Sequence, residues 1–344
     1  MKNKLLITSA LVAGGLTLSS IANAEISGHM RFGYAFTEGK SNDATASGTQ
    51  GFNKETQIDM STSGELSNGM GYKAGASFEA EGTFTDNDET ARDDIDDDEG
   101  VFIELAIAEG TRLHFGQDKF NNLDDSATPV TGTALTTITD AGGDSGSDRN
   151  PSSPYGSFGI GLAQATPFGE ISALYVPQNG DSGNATNHTS SDIDGKMAYE
   201  IKFKGNLGVE GLNVVAGLNE RKLDLDDEAR GTKRDGEGSV YGASYNFGSV
   251  AVGASKMKDD KETGVDKEST EYGVTFAVND AVSIGLGKMK TEQSDKTVDV
   301  EATIATVGYN LGPIAVEFNY SDVENHGFTA GDVTGGSIQT VVKF

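Results

Sequence analysis

Residues 30–36 read MRFGYAF, and every even-numbered position in this stretch is a large apolar or aromatic residue. The odd-numbered positions between them are Arg, Gly and Ala. An alternation of period two is typical of a β-strand with two different faces, whereas an amphipathic helix repeats every ~3.6 residues. The stretch therefore predicts a strand that has one apolar face and one mainly small or polar face.

The same alternation recurs along the chain. Further segments with apolar residues at alternate positions lie at 56–61, 72–79, 101–108, 196–203, 314–320 and 338–344. Their other positions are mostly Gly, Ser, Lys and Glu, so we expect the second face to be polar. Acidic chains can be disordered, but this regular periodicity argues against disorder. No segment predicts an amphipathic helix.

The connectors between these segments are short and long in alternation. Short ones, rich in the turn formers Asn and Gly, lie at 67–69, 109–110, 167–169, 206–211, 246–248, 279–280 and 310–313. Long ones, polar and mostly acidic, lie at 39–51, 83–100, 119–156, 179–194, 223–237, 259–268, 291–298 and 325–334. Such connectors join about 16 strands and keep all long loops at one end, which a β-sandwich has no reason to do. The fold class is therefore all-β, a transmembrane antiparallel up-and-down barrel.

The first 24 residues have the features of a cleaved secretory signal. Lys2 and Lys4 precede an apolar run, and ANA at 22–24 is a small-residue cleavage site. A membrane-anchoring helix is the alternative, but the run is short and is interrupted by two glycines. We expect export by the Sec route and cleavage after Ala24, which leaves residues 25–344 as the barrel. No later run approaches the ~18 apolar residues of a spanning helix.

Charge and composition exclude several classes of function. The chain has 53 acidic and 26 basic residues and a net charge of -27, which becomes −29 once Lys2 and Lys4 are removed. Nucleic-acid binding needs a basic footprint, so a nucleic-acid partner is excluded. The absence of cysteine excludes disulfides, thiol catalysis and cysteine zinc sites. No nucleophile elbow, phosphate-binding loop or zinc-protease motif is present, so we do not expect an enzyme.

The final segment ends on an aromatic residue, Phe344, with Ile338, Thr340 and Val342 on the same face. A terminal Phe after alternating apolar residues resembles the signal that the barrel assembly machinery reads in outer-membrane proteins. Val342 departs from that pattern, because a larger residue is often present there. The alternative is an ordinary last strand.

Two stretches resemble the Gram-negative general porin family. Residues 25–34, EISGHMRFGY, resemble its first strand, and residues 112–118, RLHFGQD, resemble the strand that leads into its constriction loop. Residues 119–156 match that loop in order and length. The resemblance implies a barrel of 16 strands in the outer membrane of a Gram-negative bacterium, a homotrimer, and a third external loop folded into the lumen. It also implies passive diffusion of small hydrophilic solutes and ions.

The resemblance assigns roles to two sets of charged residues. The acidic residues expected at the constriction are Asp118, Asp124, Asp125, Asp140, Asp144 and Asp148. The basic residues expected on the wall opposite are Arg31, Lys73, Arg112 and Lys343, on the face that also carries His29 and His114. A field between the two sets would orient solutes and set ion preference. Alternatively, each basic side chain is simply solvated or paired with Glu79 or Glu104.

The acidic segment 83–100 contains Asp94, Asp96 and Asp98, a spacing that supplies oxygen ligands to Ca²⁺. Gly100 and Leu105 do not fit an EF-hand, so a solvated acidic loop is the plainer interpretation. The alternative is a structural Ca²⁺ or Mg²⁺ that bridges to another loop or to lipopolysaccharide phosphate. No other cofactor is expected. In the family this second loop often contacts the neighbouring subunit.

Three other functions compete with a diffusion channel. A barrel enzyme would usually have fewer strands, and a substrate-specific channel would show an aromatic track along its lumen. A structural or adhesive barrel could instead use its acidic external loops to bind divalent cations or host and phage partners. The excess of acidic residues favours a cation-preferring channel, although charge at distant loop tips is screened within about 8 Å.

Overall fold

The computed structural model describes most of the chain. The described residues are 23–39, 50–84, 95–96, 101–116, 159–177, 197–221, 236–261, 265–328 and 331–344. Within these residues, no helix combines the length and the hydrophobicity needed to cross a membrane.

Sixteen long strands are present among the described residues. They are β1 (Asn23–Gly39), β2 (Gln50–Glu65), β3 (Gly71–Phe84), β4 (Val101–Ala108), β5 (Thr111–Gly116), β6 (Gly159–Thr166), β7 (Gly169–Val176), β8 (Ala198–Gly205), β9 (Leu212–Arg221), β10 (Gly236–Asn246), β11 (Val250–Lys261), β12 (Lys267–Ala277), β13 (Val282–Gln293), β14 (Val300–Asn310), β15 (Ile314–Glu324) and β16 (Val333–Lys343). A two-residue bridge at Ile95–Asp96 pairs with β3, and one 3-10 turn spans His326–Phe328.

The sheet closes on itself. Each strand pairs antiparallel with the next, and β16 pairs back with β1. At this seam the Gly28 amide donates to the Phe344 carbonyl over 3.0 Å, and the Phe344 amide donates to the Gly28 carbonyl over 3.1 Å. A Cβ atom on residue 28 would lie 2.2 Å from the Gln57 carbonyl oxygen of β2 and 2.9 Å from the Phe344 ring, so the close approach of these strands requires glycine there. The predicted all-β barrel of 16 strands is confirmed, and a closed barrel leaves no strand edge unpaired.

The outside of the barrel is apolar and exposed. Phe32, Leu286 and Phe318 are each more than half exposed on it, which would be costly in water but suits a lipid-facing band. Aromatic residues exposed on the outward face are Phe36, Tyr199, Tyr309, Phe318, Tyr320 and Phe344. Tyr72 and Phe203 share that face but are only partly exposed.

Asparagine side chains close the short turns. In five turns the Asn Oδ1 atom accepts a hydrogen bond from the amide two residues later. The pairs are Asn68 with Met70 (3.2 Å), Asn206 with Gly208 (3.0 Å), Asn246 with Gly248 (2.8 Å), Asn279 with Ala281 (2.8 Å) and Asn310 with Gly312 (2.8 Å). Gly248 and Gly312 have φ of 92° and 87°. The turns predicted from Asn and Gly are thus confirmed, and their repetition fixes one end of the barrel.

Substituting one of these asparagines tests the turn chemistry. We expect Asn246→Ala to lower the free energy of unfolding by about 1 kcal/mol, because the amide of Gly248 loses its acceptor. Asn246→Asp keeps an oxygen at that position and should leave stability nearly unchanged. Urea unfolding followed by circular dichroism in detergent measures both. Equal losses in the two variants would contradict this role of the side chain.

The inner face is not uniformly polar, which corrects the sequence-based expectation. A buried apolar cluster faces inward on β13, β14 and β15, and Phe328 packs against it. Its members are Met289, Val300, Ala302, Ile304, Val323 and Phe328. Two smaller clusters comprise Val215, Val240 and Met257, and Leu174, Val176 and Ala198. The sequence could not reveal this, because residues 300–309 carry apolar side chains on both faces and strict alternation is lost.

Candidate functional site: the lumenal wall

The four basic residues predicted for the wall all lie on the inner face. In the register of β1 with β16, Lys343 is opposite His29 and Val341 is opposite Arg31. The seam therefore brings the basic residues of the first and last strands onto adjacent strands. The other two, Lys73 and Arg112, project from β3 and β5 farther round the same wall.

Arg31 is paired within the wall. Its Nη1 atom lies 2.8 Å from Oε2 of Glu55 on β2, and Nε2 of His29 contacts the other oxygen of the same carboxylate. The Arg31 side chain is 38% exposed and the Glu55 side chain 15%. Glu55 therefore neutralises Arg31 in place and holds two side chains of β1 against β2.

Arg112 makes the larger network. Its Nη1 atom lies 3.2 Å from Glu104 on β4, and its Nη2 atom lies 2.9 Å from Glu170 on β7. β6 lies between β5 and β7. Its residue opposite Arg112 is Ala163, which is small and fully buried. The planar guanidinium can therefore reach over β6 and bind two carboxylates at once.

His114 completes this network. Its Nδ1 atom lies 3.6 Å from Glu104, its ring stacks on Phe102 with centroids 5.8 Å apart, and its side chain is 1% exposed. The sequence had named Glu79 and Glu104 as possible partners for the basic wall residues in general, and Glu104 does pair with Arg112. The sequence did not identify Glu170 as a partner of Arg112. The two residues lie on strands two apart in the sheet, so their contact depends on strand pairing and not on spacing along the chain.

Lys73 and Lys343 differ from the two arginines. The Lys73 Nζ atom lies 5.5 Å from the Phe102 ring centroid, a favourable cation–π distance. Both lysines are exposed to the lumen, and neither makes an ion pair with any residue in the described part of the chain. Two of the predicted basic residues are thus compensated by carboxylates, and two present their charge to the lumen.

Inward-facing carboxylates continue around the rest of the wall. Glu200 on β8, Glu271 on β12 and Glu317 on β15 are 1%, 3% and 0% exposed. Each has an interaction partner; Asn219 donates to Glu200 over 3.3 Å. The alternation signal had already placed Glu200 and Glu317 opposite the apolar positions of their strands. Charge of both signs is therefore spread around the wall, since Lys202 on β8 and Lys267 on β12 share the inward faces of Glu200 and Glu271.

The predicted constriction residues lie outside the described residues. This applies to Asp118, Asp124, Asp125, Asp140, Asp144 and Asp148. In the proposed calcium site, Asp94 and Asp98 are also outside them, and Asp96 is described only by its backbone pairing opposite Glu79. Among the described residues no group of three His, Asp or Glu side chains is placed to hold a metal ion. Both assignments stay predictions.

Comparisons with known proteins agree with this geometry. A model of the Gram-negative porin family matches residues 8–327. A solved structure named an anion-selective porin from Comamonas acidovorans superposes with a TM-score of 0.67 at 12% identity, covering 94% of this chain and 100% of that one. A triple mutant of the Rhodopseudomonas blastica porin superposes with a TM-score of 0.60 at 13% identity, covering the same shares of the two chains. No curated protein matches the sequence.

Proposed function

This chain belongs to the family of Gram-negative porins, which places it in the outer membrane, and we propose that it forms a water-filled channel for passive diffusion of small hydrophilic solutes and ions. The observation that carries the proposal is the closed barrel of sixteen strands with a charged inner wall. Barrels of 16 to 18 strands leave an aqueous channel. Arginine, lysine and glutamate on the wall suit polar solutes, and none of the described contacts assembles a catalytic group.

The channel should prefer cations. Most of the net charge of -27 lies in the long connectors, which join the strands at the end of the barrel opposite the short turns. Carboxylates at a pore mouth raise the local concentration of cations. Lys73 and Lys343, which make no ion pair with a described residue, act in the opposite direction, and the Comamonas porin of similar fold is named anion-selective. The selectivity for cations over anions therefore depends on which charged side chains a passing ion approaches most closely.

The finer parts of the proposal concern assembly and processing. We expect a homotrimer, cleavage after Ala24, insertion by the barrel assembly machinery through the terminal Phe344, and contact with outer-membrane lipid and lipopolysaccharide. A structural Ca²⁺ at Asp94, Asp96 and Asp98 belongs to the same set. Amino-terminal sequencing of protein from outer membranes tests the cleavage, and chemical cross-linking tests the trimer.

Single-channel recording in a planar bilayer under a KCl gradient tests the transport function. We expect large conductance steps grouped in threes, and a reversal potential whose sign shows that potassium permeates more readily than chloride. Chloride-selective steps would keep the channel and reject its cation preference. Folded protein without conductance would reject transport and favour the structural or adhesive alternative.

A further inference from the structure

The last long connector, which joins β15 to β16, turns back into the barrel. Its 3-10 turn, His326–Phe328, contacts β14. The Phe328 side chain packs there against the inward-facing apolar cluster of β13, β14 and β15, and it is only 8% exposed. This turn therefore lies against the inner wall, at the end of the barrel where the long connectors are.

Hydrogen bonds define the shape and the place of this turn. The His326 amide donates to the Gly331 carbonyl over 2.7 Å, and the Phe328 amide donates to the Asn325 carbonyl over 2.9 Å. The Asn325 side-chain amide donates to the Asp299 carbonyl over 2.9 Å. Asp299 belongs to the connector between β13 and β14, so the last connector is tied to a second connector as well as to the wall.

The backbone conformation of the turn opposes this placement. The φ angle is 54° at Asn325, 63° at Gly327 and 59° at Phe328. Asparagine and glycine tolerate this left-handed region, whereas a bulky side chain such as that of Phe328 is rarely found there. Burial of the aromatic ring has to offset the strain, so the docked position of the turn depends on the Phe328 ring.

We propose that Phe328 is a positioning residue, which holds the last connector inside the outer mouth of the channel and thereby sets the size limit for solutes. A connector that lies against the inner wall occupies cross-section that solutes would otherwise use. When the ring leaves the apolar cluster, the backbone at Phe328 can relax and the connector can move outward, so the mouth widens. The proposal rests on the channel function proposed above.

Two truncations test the role of the ring. Phe328→Ala and Phe328→Gly both remove it, and glycine in addition removes the strain of the left-handed conformation. Loss of a buried phenylalanine ring should shift the balance from docked to released connector by roughly a hundredfold or more. Both variants should therefore show a larger single-channel conductance than the wild type. In liposome-swelling assays, both should raise the rate for the tetrasaccharide stachyose relative to the rate for glucose.

Two further variants serve as controls. Phe328→Leu keeps an apolar side chain in the cluster and should stay close to the wild type. Phe318→Ala removes an aromatic ring from β15, but this ring is on the outward face and 54% exposed, so conductance should not change. A general loss of stability would lower the yield of folded protein without raising the conductance of single channels. Wild-type conductance in Phe328→Gly would overturn the proposal, because the shape of the turn alone would then hold the connector.

Hydrogen exchange followed by mass spectrometry measures the docking without reference to transport. Peptides that contain His326 should exchange roughly a hundredfold faster in Phe328→Ala than in the wild type, because the turn then opens more often. Equal exchange in the two proteins would overturn the proposal, and so would faster exchange with unchanged conductance. A folded wild type that exchanges slowly but does not conduct would refute the channel function, and with it the size limit, whereas the docking of Phe328 would stand.

Discussion

Ile304→Ala is expected to lower the free energy of unfolding by about 2–4 kcal/mol, the usual cost of an aliphatic truncation in a packed core. The Ile304 side chain is 0% exposed although it points into a barrel. It packs in one cluster with Met289, Val300 and Phe328. Truncation therefore leaves a cavity lined by apolar groups, which water fills poorly.

The control for this prediction lies on the same strand. Val307 points outward and is 44% exposed, so lipid or detergent tails can fill the space that Val307→Ala creates. We expect that variant to lose less than about 1 kcal/mol. Urea unfolding of both variants in the same detergent makes the comparison. Equal losses would show that the inward cluster is not a packed core.

Arg112→Gln should raise the permeability ratio of potassium over chloride roughly fivefold. Arg112 compensates two carboxylates, Glu104 and Glu170, at 3.2 Å and 2.9 Å. Without the guanidinium both carboxylates keep their charge and face the lumen. A charge about 4 Å from a passing ion contributes about 1 kcal/mol in water, and that energy corresponds to roughly a fivefold ratio.

The conservative variant separates charge from geometry. Arg112→Lys keeps the positive charge but lacks the planar fork that binds two carboxylates, so its selectivity should stay near the wild-type value. Reversal potentials under a KCl gradient measure both variants. An unchanged reversal potential in Arg112→Gln would mean that ions do not pass near this network.

Much of this molecule could be predicted from its sequence, because strand periodicity and turn chemistry are local. The alternation in residues 30–36 and the Asn and Gly residues of the turns are each specified by neighbouring side chains. The strand number followed from counting connectors. Inward placement of Arg31 and Arg112 followed from the same alternation.

The contacts of the wall could not be predicted in the same way. The Arg112–Glu170 pair joins residues that are 58 positions apart and two strands apart in the sheet. Such a contact depends on strand register, which a single sequence specifies weakly when both faces carry small or polar residues. The inward burial of Ile304 was not predicted for a different reason. A single isoleucine on a mainly polar face does not indicate a packed cluster until the neighbouring residues of the other strands are known.

The seam between β1 and β16 has a consequence for how the chain folds. It pairs residues separated by about three hundred positions, such as His29 with Lys343. All other neighbouring strands are consecutive in the chain, so their pairings can form as local hairpins. Bringing together residues so far apart in sequence costs chain entropy before the hydrogen bonds and side-chain contacts of the seam can form. Seam formation is therefore the late step of folding, and until then both terminal strands offer open edges to which other chains can add.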